Sequence, residues 1–386
     1  MRRYREIMTE TNIQTADETT SRDRDQKEYN RIKIRLSIAG IILDIALISL
    51  IAFSGVTGWL MSLISPFTEN PYLQFLAFSA ILGMALSALG FPMEFYGGYL
   101  LEHRFNLSNQ SIPRWLLEKG KSTAVGLAVG VPVALAFYFF LKSTGELWWF
   151  YFSLFIFFIS VFLARVAPVI ILPLFYKFRE LENGEVKDRI TALLSAYHIP
   201  IKGIYSFNMS RDTKKANAGF TGIGKSKRII LSDTLIKDFT PDEIAVIFAH
   251  EMGHYKRRHI VKNIMQSTII IFATLYLCGM AYSHTALNLG YGSIDDIAAI
   301  PILLFYLTLA GLVMMPLTNF ISRRYEVQAD SFALDATGDR PAFISSMEKL
   351  AKMNLADPDP HKAVEFFLYS HPSIKKRIAF AASYGQ

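Results

Sequence analysis

Six runs of apolar residues dominate this chain, at roughly 36–56, 71–97, 122–141, 147–175, 264–284 and 297–320. Each is close to the length, about 20 residues, that carries a helix across a bilayer. The chain is therefore expected to be an all-α multi-pass membrane protein with about six transmembrane helices. The fourth run is long enough to tilt or break at Pro168 or Pro173. Gly126 and Gly130 form a GxxxG pair, expected at a helix contact. Trp148 and Trp149 sit where an interfacial aromatic belt is expected. Asp44, Glu94 and Arg165 lie within or near the runs, as residues facing a polar interior, or snorkelling from helix ends, would.

Charge sets the orientation. The loops at 57–70 and 285–296 carry no Lys or Arg, and the turn at 142–146 carries only Lys142. The basic residues sit in the N-terminal tail, at 98–121, at 176–263 and after 321. Positive loops stay inside, so both termini and these segments are expected in the cytosol. The net charge of +7 is read as this topology signal. It implies no nucleic-acid partner. The single cysteine, Cys278, reads as a packing residue and excludes both an intrachain disulfide and a cysteine-rich zinc module.

Five segments follow. Residues 1–33 read as a disordered cytosolic tail. Residues 34–175 hold transmembrane helices 1–4, with a cytosolic loop at 98–121. Residues 176–263 form a cytosolic segment, 264–320 hold helices 5–6, and 321–386 form a second cytosolic segment. Within 176–263, the spacing predicts a helix over 185–197 and short strands within 203–209, 216–220 and 228–233. Thr240-Pro241-Asp242-Glu243 predicts a capped helix start with a capping box.

That helix carries FAHEMGHYKRRH, Phe248 to His259. His250 and His254 share one helical face and can aim two imidazoles at one ion. Glu251, beside the first, can act as general base on a water. Gly253 lets another segment or a substrate approach. Zinc at a catalytic site takes three protein ligands and keeps a position open. His259 falls about 140° around a continuous helix from His254, so it reads as a flanking residue. The better third ligand is Glu326 in SRRYEVQAD, with Asp330 one turn on to orient a ligand histidine. His371 in SHPSIKKR can donate to a developing oxyanion, or serve as a helix-cap residue.

HEMGHYKRRH, Glu326 with Asp330, and HPSIKKR together resemble the integral-membrane CAAX prenyl protease I family of gluzincin metallopeptidases. FYGGYLLEHRFNLSNQ (95–110), APVIILPLFYKFRELENGE (167–185) and KKANAGFTG (214–222) are similar to further stretches of that family. The resemblance spans about 70–380. It implies one zinc per chain, held by His250, His254 and Glu326 in a cytosolic zincin-like α+β domain, with Glu251 as base. It implies that Asp330 orients a ligand and that His371 stabilises the oxyanion. It also implies that Asn217, Ala218 and Arg377 bind substrate, the first two on an edge strand that pairs with the substrate backbone. Peptide or protein substrates are expected, including prenylated CAAX C-termini, together with membrane lipid. The membrane is a bacterial or archaeal cytoplasmic membrane or the endoplasmic reticulum. Members enclose a chamber in seven spans. This chain has six runs, with four rather than five before the zinc helix, and the first is the one expected to be missing.

Two alternatives stay open at this stage. One is a quality-control metalloprotease of the HtpX type, which has about two spans before its zinc helix. The other is a non-enzymatic transporter or scaffold. A site-2-type protease would bury HExxH in an apolar span and carry LDG, and neither is present here.

Overall fold

The structure, a computed structural model, describes residues 2–221 and 227–385, with side chains from Arg24 onward. Six helices are long and apolar enough to cross a membrane: Arg24–Phe53, Pro71–Arg104, Ile112–Ser143, Gly145–Phe175, His259–Asn288 and Ile297–Thr337. A shorter apolar helix, Val56–Phe67, follows the first. The α-helical parts used below are α1 (Arg2–Phe53), α2 (Pro71–Phe95), α3 (Ile112–Ser143) and α4 (Trp148–Val166).

The membrane helices share one packed knot. Its buried members come from the end of α1, the start of α2, the end of α3 and the start of α4, joined by residues 275–303. Because consecutive spans alternate in direction, all these termini meet at the same side. Trp148, expected in an interfacial belt, is 1% exposed in this knot. A Cβ on Gly279 would approach its ring within 3.1 Å, so a larger residue there would lose the contact. Cys278 packs in the same knot, as expected. Gly126 and Gly130 do not mediate a helix contact, because a Cβ on either would meet nothing within 4 Å.

Three expectations about chain course need correction. The fourth helix, expected to tilt or break at Pro168 or Pro173, breaks at neither. It widens into a π-helical turn over Ala167–Ile171, which absorbs the missing proline N–H, and continues to Phe175. The expected loop at 98–121 shrinks to 105–111. After α2 the helix runs through another π-helical turn to Arg104, and α3 begins at Ile112. Hydropathy marks the end of the hydrocarbon, not the end of the helix. Finally, residues 24–33 are not disordered. They are helical in α1, where Gln26 donates to the Ala351 carbonyl at 3.1 Å and Tyr29, 4% exposed, donates to Glu102 at 2.5 Å. The side chains of 1–23 lie outside the described residues.

The sheet-containing unit begins with β1 (Phe178–Glu180), α5 (Glu185–Ala196), β2 (Ile204–Phe207), β3 (Ala218–Thr221) and β4 (Arg228–Ser232). The sheet order is β1-β2-β4-β3, with β2 and β4 parallel and the outer pairs antiparallel. The expected helix and three strands are all present; β1, three residues long, is too short to leave a periodic signal. Next come α6 (Pro241–Lys256) and α7 (His259–Asn288). The chain ends with α8 (Ile300–Thr337), α9 (Arg340–Asn354), α10 (Lys362–Leu368) and α11 (Ile374–Ser383). At the start of α6 the capping box forms as the sequence predicts: the Thr240 side chain accepts from Glu243 N–H, and the Glu243 carboxylate accepts from Thr240 N–H. Helix α6 is wedged between the sheet and the C-terminal part of α8. A Cβ on Gly253 would lie 3.0 Å from Ala329 Cα, so the glycine is what allows α6 and α8 to touch.

Candidate active site

Close contact between α6 and α8 assembles the site. His250 and His254 project from α6, and Glu326 projects from α8. One ligand atom from each lies within 4.8 Å of the others. His250 Nε2 is 3.1 Å from His254 Nε2 and 3.2 Å from Glu326 Oε2, and His254 Nε2 is 3.3 Å from Glu326 Oε1. Donors about 2.0–2.2 Å from one tetrahedral ion are about 3.3–3.6 Å apart, so these separations fit a common metal.

The chemistry fits as well. Asp330 Oδ1 lies 2.8 Å from His250 Nδ1 and accepts its proton. In the neutral ring that leaves His250 Nε2 as a lone pair. Glu326 Oε2 is buried with no hydrogen-bond donor, despite its short approach to that nitrogen. Electron-pair donors that face one another with no proton between them suit a cation. Burial would push the His250 imidazole down, but the Asp330 and Glu326 carboxylates outweigh it and raise it to about 9. A metal therefore competes with a proton for this ligand.

Arg377, expected to bind substrate, sits behind His250. Its guanidinium is buried and grips Asp330 through two bonds, Nε to Oδ2 at 2.8 Å and a terminal nitrogen to Oδ1 at 2.5 Å. The same terminal nitrogen is 3.3 Å from His250 Nδ1. Two of its three nitrogens are thus engaged by Asp330.

Glu251 lies on α6 beside the ligand pair. Burial pushes its carboxyl up, and the imidazoles of His250 and His254 and the Phe220 N–H hold part of that rise back. His371 is the exposed member of the group: its side chain is 60% exposed, with Nε2 3.3 Å from Glu326 Oε1. Desolvation at the site pushes its imidazole down, and the Glu326 carboxylate offsets part of that. Two residues that the sequence reading passed over hold its loop. Arg323, one turn before Glu326, donates to the carbonyls of Glu365, Phe366 and Tyr369 at 3.0, 3.4 and 2.6 Å. Asn319 donates to Phe367 O at 2.6 Å.

His259 is also more than a flanking residue. Helix α6 ends at Lys256, and Arg258 takes a left-handed φ of 55°. The kink swings the His259 ring back until its Nδ1 is 3.0 Å from His254 Nδ1. The continuous-helix projection fails because the helix stops.

β3 is a sheet edge, and its backbone directions alternate. Asn217 O accepts from Ser232 N, and Asn217 N donates to Ser232 Oγ, so Asn217 turns its backbone inward to β4. Ala216 N, on the outer side, donates to Asn354. Phe220 N–H meets Glu251. Between those two positions, the N–H and C=O of Ala218 face outward. Asn217 can meet a ligand only through its exposed side chain.

The family model described as Peptidase family M48 matches residues 180–384. A second, described as the CAAX prenyl protease N-terminal region with five membrane helices, matches 10–177. Over that range this chain has four long apolar helices and the short Val56–Phe67. The match to a five-helix N-terminal region favours the CAAX-type architecture over the HtpX type, and the peptidase match removes the transporter or scaffold alternative. An uncharacterized metalloprotease YhfN of Bacillus subtilis is 31% identical over 92% of this chain and 84% of its own length. CAAX prenyl protease 1 of Saccharomyces cerevisiae is 28% identical over 94% of this chain and 85% of its own. The crystal structure of S. mikatae Ste24p aligns with a TM-score of 0.85 at 25% identity, over 94% of this chain and 89% of that one. With its site built on HEMGH and its N-terminal half matched as well, the chain belongs to peptidase family M48, as a multi-pass membrane metalloprotease of the CAAX prenyl protease type.

Proposed function

We propose that this chain is a zinc metalloendopeptidase that cleaves near the C-terminus of lipidated or membrane-associated proteins, on the cytosolic side. The observation that carries the reading is the convergence of His250 Nε2, His254 Nε2 and Glu326 at 3.1–3.3 Å, next to Glu251. One zinc held there supplies Lewis acidity to the scissile carbonyl and to a water.

The protein's own groups do the rest. The free edge at Ala218 receives the substrate backbone as an added strand, and the exposed Asn217 side chain contacts it. Glu251, held by the Phe220 N–H, takes the proton of the attacking water and delivers it to the leaving amine. Its raised pKa suits the second step, which needs a group that holds its proton. His371, open to the substrate side, donates to the oxyanion as it forms. Asp330 fixes the hydrogen-bond direction of His250, and Arg377 fixes Asp330.

The choice of substrate rests on placement. The metal ligands lie close to the start of α7 and beyond the apolar run of α8 at about 297–320, which supports a substrate tethered to lipid arriving with its scissile bond at that level. Wild type and Glu251→Gln would be purified in detergent and given a farnesylated CAAX peptide and its unprenylated twin. One zinc in each protein, cleavage by wild type alone and preference for the farnesylated peptide are expected. Equal cleavage of the two peptides would overturn the lipid requirement; absence of zinc, or equal activity of the variant, would overturn the mechanism.

A further inference from the structure

The two ligand imidazoles are supported differently on their outer sides. Behind His250 stands a charged pair, Asp330 and Arg377. Behind His254 stands a neutral chain. His254 Nδ1 lies 3.0 Å from His259 Nδ1, and His259 Nε2 lies 3.1 Å from Gln328 Oε1. His259 is 2% exposed, and the Tyr325 ring stacks on it at 4.3 Å and 13°.

We propose that His259 and Gln328 are positioning residues that set the hydrogen-bond direction and ring orientation of His254 and so make its Nε2 a metal ligand. This rests on the zinc reading above. An imidazole that ligates through Nε2 carries its proton on Nδ1, and a buried N–H needs an acceptor. The nearest is His259 Nδ1. Once that nitrogen accepts, the His259 proton must sit on Nε2, and the group it faces is the carbonyl oxygen of Gln328. All the bonds then run one way, from His254 through His259 to Gln328. Reversing the chain would place the His254 proton on Nε2, the nitrogen that points at the other ligands, and would require the Gln328 amide to turn over.

The fold supplies this arrangement from a single turn. Tyr325 and Gln328 flank Glu326 on α8, so the turn that carries one ligand also clamps the support of another. The left-handed φ of Arg258 brings His259 into reach. Partners of metal-bound histidines typically change metal affinity by about 10–100-fold when removed.

The test is zinc affinity by chelator competition on detergent-purified full-length protein, with the visible absorption of the cobalt(II)-substituted form as a second readout. His259→Leu and Gln328→Met should release zinc about 10–100-fold more readily and shift the cobalt band. Gln328→Glu, which keeps an acceptor, should hold zinc like wild type. Wild-type affinity and an unshifted band in both His259→Leu and Gln328→Met would overturn the inference. If His259→Leu does not fold, Gln328→Met decides by the same criteria. A wild type that binds no zinc would overturn the underlying zinc reading as well, so the two failures are distinguishable.

Discussion

Helix α4 buries two of its nineteen residues, Trp148 and Ser153, whereas α6 buries ten of its sixteen. The two helices represent two kinds of construction. In the membrane part, packing is concentrated in the knot away from α6, and mid-span residues such as Met84 (66%) and Ile269 (69%) stay uncovered. These helices are a wall with apolar surface left for lipid. The sheet-containing unit is a core, in which β2, β4 and α5 bury Ile204, Ile229, Leu231 and Ile190 against α6. A wall can surround a site, but only a core holds side chains at the tolerance that metal ligation needs.

The largest effects should therefore come from α6 and its contacts. Glu251→Gln should lower peptidase turnover by about 10²–10⁴-fold, the usual worth of a general base, with zinc content and melting unchanged. Loss of zinc from this variant would show that Glu251 holds the site together rather than moving a proton. Next comes Arg377→Ala, which leaves Asp330 buried without its cation. Breaking a buried pair costs about 3–5 kcal/mol, so the sheet-containing unit should melt well below wild type and hold zinc poorly. An Arg377→Ala protein that melts normally but has a raised KM would support the substrate-binding role expected from the sequence.

How the site could be read before the fold follows the same division. Local pattern reached the α6 residues: HEMGH needs only helical periodicity, and the Thr240 cap marks where that helix starts. Glu326 and Asp330 are legible as a second spaced pair, although their meeting with His250 depends on α6 and α8 touching at Gly253. Arg323, Gln328 and the role of His259 were not legible, because each acts through another segment. The helix break at Arg258 is the point where extrapolation from spacing stops working. In the membrane part, hydropathy found all six long helices but misplaced their ends and their contacts. Trp148 packs against Gly279, far away in sequence, and the GxxxG pair at Gly126 packs against nothing within 4 Å.

Gly253→Ala sharpens the comparison from the packing side. The added carbon meets Ala329 Cα and Phe332 Cβ at 3.0 Å, and neither is a flexible tip. Overpacking of this kind costs about 1–3 kcal/mol. It should also move Glu326 from His250, so melting temperature and zinc affinity should fall together. If zinc affinity falls alone, the site is more delicately set than the unit that carries it.

A smaller effect is expected where wall and core are tied. Asp212 accepts from Arg114 on α3 at 2.6 Å and from Arg211 at 2.7 Å. Burial would raise its carboxyl, but those guanidiniums hold it below the usual range. A carboxyl lowered on folding stabilises the fold above its unfolded pKa, about 3.9, and loses that contribution as pH falls through the folded value. The stability difference between wild type and Asp212→Asn should be steady near neutral pH and shrink below about pH 4, as read by melting in an acid series. A difference that persists in acid would assign the tie to shape rather than charge.

The smallest effect should come from the wall itself. Val313 on α8 is 72% exposed, and its helix runs on to carry Glu326, so it tests whether position on the same helix is enough to matter. Trimming it to alanine removes methyl groups that rest on lipid in both the folded and the unfolded membrane-inserted chain, so little burial is lost. Val313→Ala should stay within about 0.5 kcal/mol of wild type in stability, with zinc affinity and turnover unchanged. A loss comparable to Gly253→Ala would mean that the mid-span surface is packed in the working protein, and the contrast between wall and core would then belong to the isolated chain rather than to its membrane state.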